Sequence, residues 1–85
     1  MKHRTTRHFW QHFDRLPAHI QKLARENYAL LRENPRHPSL HFKKAGKYLS
    51  ARVGIEYRAA GIDADDAVIW FWIGHHKVYD RILEA

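Results

Sequence analysis

Residues 49–60 read Leu49-Ser50-Ala51-Arg52-Val53-Gly54-Ile55-Glu56-Tyr57-Arg58-Ala59-Ala60. Leu49, Ala51 and Val53 alternate with Tyr48, Ser50 and Arg52. Beyond Gly54, Ile55, Tyr57 and Ala59 alternate with Glu56, Arg58 and Ala60. A period of two sends successive side chains to opposite faces of a strand, so this stretch predicts a β-hairpin turning at Gly54. With a three-residue turn, Arg52 pairs near Glu56 and Arg58 follows on the same face. Leu49, Ala51, Tyr57 and Ala59 then share the other face with Ile69, Phe71 and Ile73 from the next strand. Tyr48, Arg52, Arg58, Trp70 and Trp72 share the first. A two-residue turn would break this parity.

Working outward, Gly61 to Asp66 reads as an acidic turn. Ala67 to Ile73 is apolar on both faces, as a strand covered on two sides must be. Gly74 ends it, and His75 to Leu83 can form a short terminal helix. Upstream the period changes to that of a helix. Thr6 can cap a short helix to about Leu16, with Phe9, Phe13 and Leu16 on one face. Pro17 is tolerated only in a first turn, so it restarts the helix. The second helix runs to about Glu33, with Ile20, Leu23, Ala24, Asn27, Tyr28 and Leu31 as its inner stripe. Asn34-Pro35 stops it, because the residue before a proline avoids the helical region. Pro35 to Ser39 follows as a stiff loop. Two helices, then a hairpin and a strand, then a helical tail, predict an α+β fold in one domain over residues 1–85.

The composition narrows what such a domain can do. Fifteen Lys and Arg against nine Asp and Glu give a net charge of +6 and a pI near 10.0. A surplus of this size in 85 residues favours a polyanion, either nucleic acid or an acidic protein. Cysteine is absent, which removes disulfides, thiolate ligands and thiolate nucleophiles. Three Trp, four Tyr and four Phe can fill a small core with few residues. No apolar run approaches the ~20 residues of a membrane span, and the basic start, Met1 to Arg7, leads into no apolar signal core. The expectation is a mature, soluble, cytoplasmic protein.

Four ordered stretches resemble the RelE/ParE superfamily of bacterial toxins. Leu16-Pro17 opens the long helix. Asn34-Pro35 through Ser39-Leu40 leads into the sheet. Arg52 to Arg58 forms the hairpin, and Trp72-Ile73-Gly74-His75-His76-Lys77-Val78-Tyr79 closes the last strand. The resemblance implies a helical hairpin packed on a small, twisted, mostly antiparallel sheet, with a short C-terminal helix. It also implies the toxin of a type II toxin–antitoxin pair, silenced by a cognate antitoxin protein. Many members of the superfamily are endoribonucleases that cut messenger RNA on the ribosome and so inhibit translation, without a metal or other cofactor. Others poison DNA gyrase, and a non-catalytic partner-binding module of the same fold is a further alternative.

In the RNA-cutting members the 2′-OH attacks the adjacent phosphate, which calls for a base, cations and an acid. By resemblance, Arg58 matches the strand arginine that clamps the phosphate, and its planar fork suits that task. His76 matches a position that is His or Arg in relatives, and an imidazole there can act as acid or base. Tyr79 can stack on a base or donate a proton. Lys43, Lys44, Lys47, Arg52 and Lys77 would contact RNA phosphates. The first hairpin strand departs from the pattern, since relatives carry lysines along it and here only Lys47 stands at its start. Plainer roles exist for each group: Arg58 can pair with Glu56 or Glu84, His76 can be an ordinary helix residue, and Trp70 and Trp72 can be packing. His8 and His12 have zinc-compatible spacing among eight histidines, but no Glu or Cys completes a known pattern, so no metal is expected.

Overall fold

The computed structural model describes residues 2–84, with side-chain surroundings for residues 2–82. The order is β1 (Lys2–Thr5), α1 (Arg7–Asp14), α2 (Ala18–Glu33), a 3₁₀ turn (Pro38–Leu40), β2 (Lys43–Ala45), β3 (Tyr48–Val53), β4 (Tyr57–Ala64), β5 (Ala67–His75) and α3 (His76–Glu84). The strands form one sheet in the order β1-β5-β4-β3-β2. β1 runs parallel to β5 and the other pairs are antiparallel. The fold is α+β, with a helical hairpin on one face of the sheet and α3 on the other.

The helices begin and end for local reasons. The Phe9 N–H donates to Thr6 Oγ1 at 3.2 Å, which satisfies one of the free donors of the first turn of α1. Gln21 Nε2 donates to the Phe13 carbonyl at 3.0 Å, beside the Leu16 N–H that donates to the same oxygen at 3.0 Å, so α2 ties down the end of α1. Asn34 closes α2 with its N–H donating to the Leu30 carbonyl at 2.7 Å, one residue before Pro35. Asn27, the polar exception in the inner stripe, donates from Nδ2 to the Arg52 carbonyl at 3.3 Å and ties α2 to the end of β3. Phe13, Leu16, Ile20 and Leu31 meet Ala51, Val53, Ala59, Val68, Trp70 and Ile73 in the main core. Burying each large side chain of this kind contributes roughly 1.5–3 kcal/mol.

The hairpin turn is three residues long, since Val53 pairs with Tyr57. Gly54 takes φ +68, and a Cβ there would lie 2.8 Å from Leu23 Cδ2, so both the backbone and the space require glycine. Three expectations change. Arg52 stands directly opposite Arg58 rather than near Glu56, which lies in the turn beside the 87% exposed Ile55. β4 continues to Ala64 through most of the stretch read as an acidic turn, and β5 continues past Gly74 to His75.

The third change concerns faces. Ala60 pairs with Trp72 and Gly61 with Trp70, so Phe71 is the extra residue of a β-bulge. The bulge inverts parity along β5. Trp70 therefore joins Val68 in the helix-side core, not the arginine face. Phe71, expected among the helix-facing residues, packs instead with Ala60, Trp72, Tyr79 and Ile82 beneath α3, and its ring lies 5.3 Å from that of Tyr48.

β1 and β2 were not expected. β1 has no apolar alternation and is held by its neighbours. The Lys2 N–H donates to the Asp66 carbonyl and the Thr6 N–H to the Trp70 carbonyl, each at 3.0 Å, while Trp70 Nε1 donates to His3 Nδ1 at 3.1 Å. Among the described residues, no helix is long and apolar enough to cross a membrane.

Candidate active site

The face of β3 and β4 turned away from the helical hairpin carries Ser50 and Arg52 on one strand, and Arg58 and Ala60 on the other. α3 covers part of this face. Its start is fixed by two hydrogen bonds: the His76 N–H donates to the Glu56 carbonyl at 2.8 Å, and the Lys77 N–H donates to His75 Nδ1 at 3.2 Å. One turn later Tyr79 turns inward. It is 3% exposed, and its ring centroid lies 6.1 Å from that of Trp72.

Between the sheet, β2 and α3 lies a cavity of about 180 Å³, lined by His41, Lys43, Ala45, Ser50, Arg52, Arg58 and Tyr79. Three of these residues are cationic and none is a carboxylate. Among the described side chains the only cation–carboxylate approach within 4.0 Å is that of His76 Nδ1 to Asp80, so neither guanidinium is neutralised by a described partner. Glu84, offered above as a partner for Arg58, has a side chain outside the described residues. Two polar atoms of the cavity residues, Arg52 Nε and Tyr79 Oη, are buried without a hydrogen-bond partner among the described residues. A buried polar group left unpaired costs about 1–3 kcal/mol, so two on residues that line one cavity mark a place where something other than packing has shaped the sequence. Arg52 and Arg58 stand opposite one another, and cations so paired in a cavity that also holds unpartnered donors make a seat for an anion with several oxygens, such as a phosphate.

The residues singled out from sequence divide into two groups. Arg58, Tyr79, Arg52 and Lys43 line one cavity. His76 does not line it: its ring stacks on His75 at 4.5 Å, and its Nδ1 faces Asp80. Lys44, Lys47 and Lys77 are exposed outside the cavity, with Lys47 Nζ 5.4 Å from the centre of the Tyr48 ring. His41 and Ser50 are cavity residues that the sequence did not suggest. His41 adopts the left-handed conformation, φ 45 and ψ 41, just past the 3₁₀ turn, and no spacing rule marks it. Ser50 is buried and shows only as the polar half of the β3 alternation.

A larger cavity of about 260 Å³ lies on the helix side, against Phe9, Trp10, Phe13, Tyr28, Leu31 and Trp70. Its walls are mostly core side chains, and the chemistry gathers in the smaller one. Burial lowers the pKa of His3, with the nearby positive charge of Arg32 adding to it, and burial followed by Arg15 and His8 does the same for His12. Both residues stand apart from the cationic cavity. Among the described residues no three His, Asp or Glu side chains come together as a metal site.

No family model matches the sequence, and no curated protein sequence matches it. Solved structures do. The RelB–RelE antitoxin–toxin complex of Methanococcus jannaschii aligns with a TM-score of 0.72 at 23% identity, over 92% of this chain and 96% of that one. A RelBE toxin–antitoxin complex of Mycobacterium tuberculosis aligns with a TM-score of 0.65 at 22% identity, over 87% and 95%. The YoeB/ParE toxin of Agrobacterium tumefaciens aligns with a TM-score of 0.63 at 16% identity, over 89% and 99%. With alignments that cover nearly the whole of each chain, this protein has the fold of the RelE/ParE superfamily toxins.

Proposed function

We propose that the protein is the toxin of a type II toxin–antitoxin pair and that it cuts messenger RNA on the ribosome, inhibiting translation. The observation that carries this is the cationic cavity into which the buried, unpartnered Tyr79 hydroxyl is set. Arg52 and Arg58 hold the non-bridging phosphate oxygens and stabilise the charge that builds up as the 2′-oxygen attacks. Side-chain cations fill the role of a metal, so the reaction is metal-independent. Tyr79 hands a proton to the leaving 5′ oxygen. Lys43 extends the phosphate seat. Lys44, Lys47 and Lys77 track the RNA backbone outside it, where binding weakens steeply with salt. His76 is given no proton-transfer role, because it stands outside the cavity. A net charge of +6 suits both an RNA-rich target and an acidic antitoxin wrapped over the same face.

Expression in bacteria is expected to arrest growth and to leave messenger RNA cut within translated regions, with 2′,3′-cyclic phosphate ends. Arg58→Ala should lower the cleavage rate by about 10²–10³-fold. Growth arrest with intact transcripts would overturn the endonuclease assignment. A second reading, a gyrase poison on the same fold, draws on the absence of lysine from β3, where Ser50 and Arg52 stand on the cavity face. DNA breaks and filamentation beside intact messages would select it.

A further inference from the structure

The cavity is rich in groups that give protons and almost bare of groups that take them. Lys43, Arg52 and Arg58 carry donors only, and Tyr79 offers a hydroxyl proton. Ser50 is a hydroxyl and so a very weak base. A neutral imidazole alone among the lining groups has a basic lone pair, and the imidazole that lines the cavity is that of His41. We propose that His41 is the general base of this site, taking the proton from the 2′-OH of the RNA. This rests on the endonuclease assignment above and names a residue that the sequence resemblance did not supply.

The local structure holds His41 in place. Leu40, directly before it, is 1% exposed and sits in the main core. Phe42, directly after it, packs against that core with its ring 6.1 Å from Trp70. The chain is therefore anchored on both sides of a residue in the left-handed conformation. Its N–H donates to the Pro38 carbonyl at 3.3 Å to close the 3₁₀ turn. His37 Nδ1 accepts from the Ser39 N–H at 3.2 Å and fixes the start of that turn. A residue that only had to end the turn would more cheaply be Gly or Asn. An exposed histidine with a left-handed backbone, held between a buried Leu40 and a partly buried Phe42 and lining a cavity of donors, fits a chemical task.

The step balances. A His41 ring nitrogen takes the 2′ proton, and the 2′-oxygen forms its bond to phosphorus. The phosphorus–O5′ bond breaks, its electron pair goes to O5′, and O5′ takes the proton of Tyr79. The products are a 2′,3′-cyclic phosphate and a 5′-hydroxyl. The imidazolium and phenolate left behind return to their starting states by proton exchange with water.

The test uses the full chain and messenger RNA on programmed ribosomes, read as single-turnover cleavage. His41→Gly keeps the left-handed backbone accessible, and His41→Asn gives a second variant that tolerates positive φ. Both should slow cleavage by about 10²–10⁴-fold. Both should bind RNA with a 2′-deoxy substitution at the cut site as the parent does. Added imidazole should restore about tenfold or more in His41→Gly and nothing in Arg58→Ala. If the parent cleaves and both variants stay within about threefold of it, the His41 assignment falls and the endonuclease assignment stands. If the parent cleaves no RNA on ribosomes, both fall.

Discussion

Tyr79→Phe should make the free protein more stable and, on the proposed function, slow to cleave RNA. The hydroxyl is buried in the cavity wall with no described partner, while the ring packs against Trp72 and Ile82. The substitution keeps the ring and removes only the unsatisfied oxygen. An unpaired buried hydroxyl costs about 1–3 kcal/mol, so its removal should return about 1 kcal/mol or somewhat more. For a domain of this length, about 1 kcal/mol corresponds to a rise in Tm of about 4–8 °C. The loss of the proton donor should slow RNA cleavage by about 10²–10⁴-fold. Thermal melts of the purified variant and parent, followed by circular dichroism in the same buffer, measure the first effect. Single-turnover cleavage measures the second. A fall in Tm would refute the reasoning, because it would mean that the hydroxyl is satisfied within the free protein and not held in reserve for a ligand.

Other outcomes follow from the same structure. Gly54→Ala places a side chain at φ +68 and against Leu23 Cδ2, and should destabilise the fold by about 1–3 kcal/mol in urea unfolding. Stability should fall as pH drops below about 6.5, because burial lowers the folded-state pKa of His3 and His12 beneath the ordinary value and the unfolded chain then binds more protons. The loss should level off below the folded-state values. His3→Gln, which cannot be protonated, should flatten this slope in pH-dependent melts, and an unchanged slope would remove His3 from the account. Arg52→Ala should weaken binding of non-cleavable RNA and also relieve the repulsion across the Arg52–Arg58 pair, so Tm should hold or rise while affinity drops.

The helical hairpin and the β3–β4 turn were legible because each rests on a local rule: a threonine cap at Thr6, a proline stop at Pro35, strict alternation about Gly54. β1 was not, because Lys2-His3-Arg4-Thr5 has no apolar pattern and becomes a strand only by pairing with β5. The face of Trp72 was read correctly, but those of Trp70 and Phe71 were misread because one bulged residue, Phe71, shifts the count by one, and alternation cannot reveal an insertion. Arg58, Tyr79, Arg52 and Lys43 could be nominated from their resemblance to family positions. His41 could not, since its place in the cavity depends on a left-handed turn and on strands that meet only in the folded chain.

The parallel pairing of β1 with β5 joins His3 to Trp70 across 67 positions of sequence. Such a contact must wait for nearly the whole chain and closes slowly compared with a neighbouring hairpin. A chain leaving the ribosome thus carries β1 unpaired until β5 has been made, and the helix bearing Tyr79 emerges later still. The cationic cavity, which needs β2, β3, β4 and Tyr79 together, is therefore completed only after the sheet has been made.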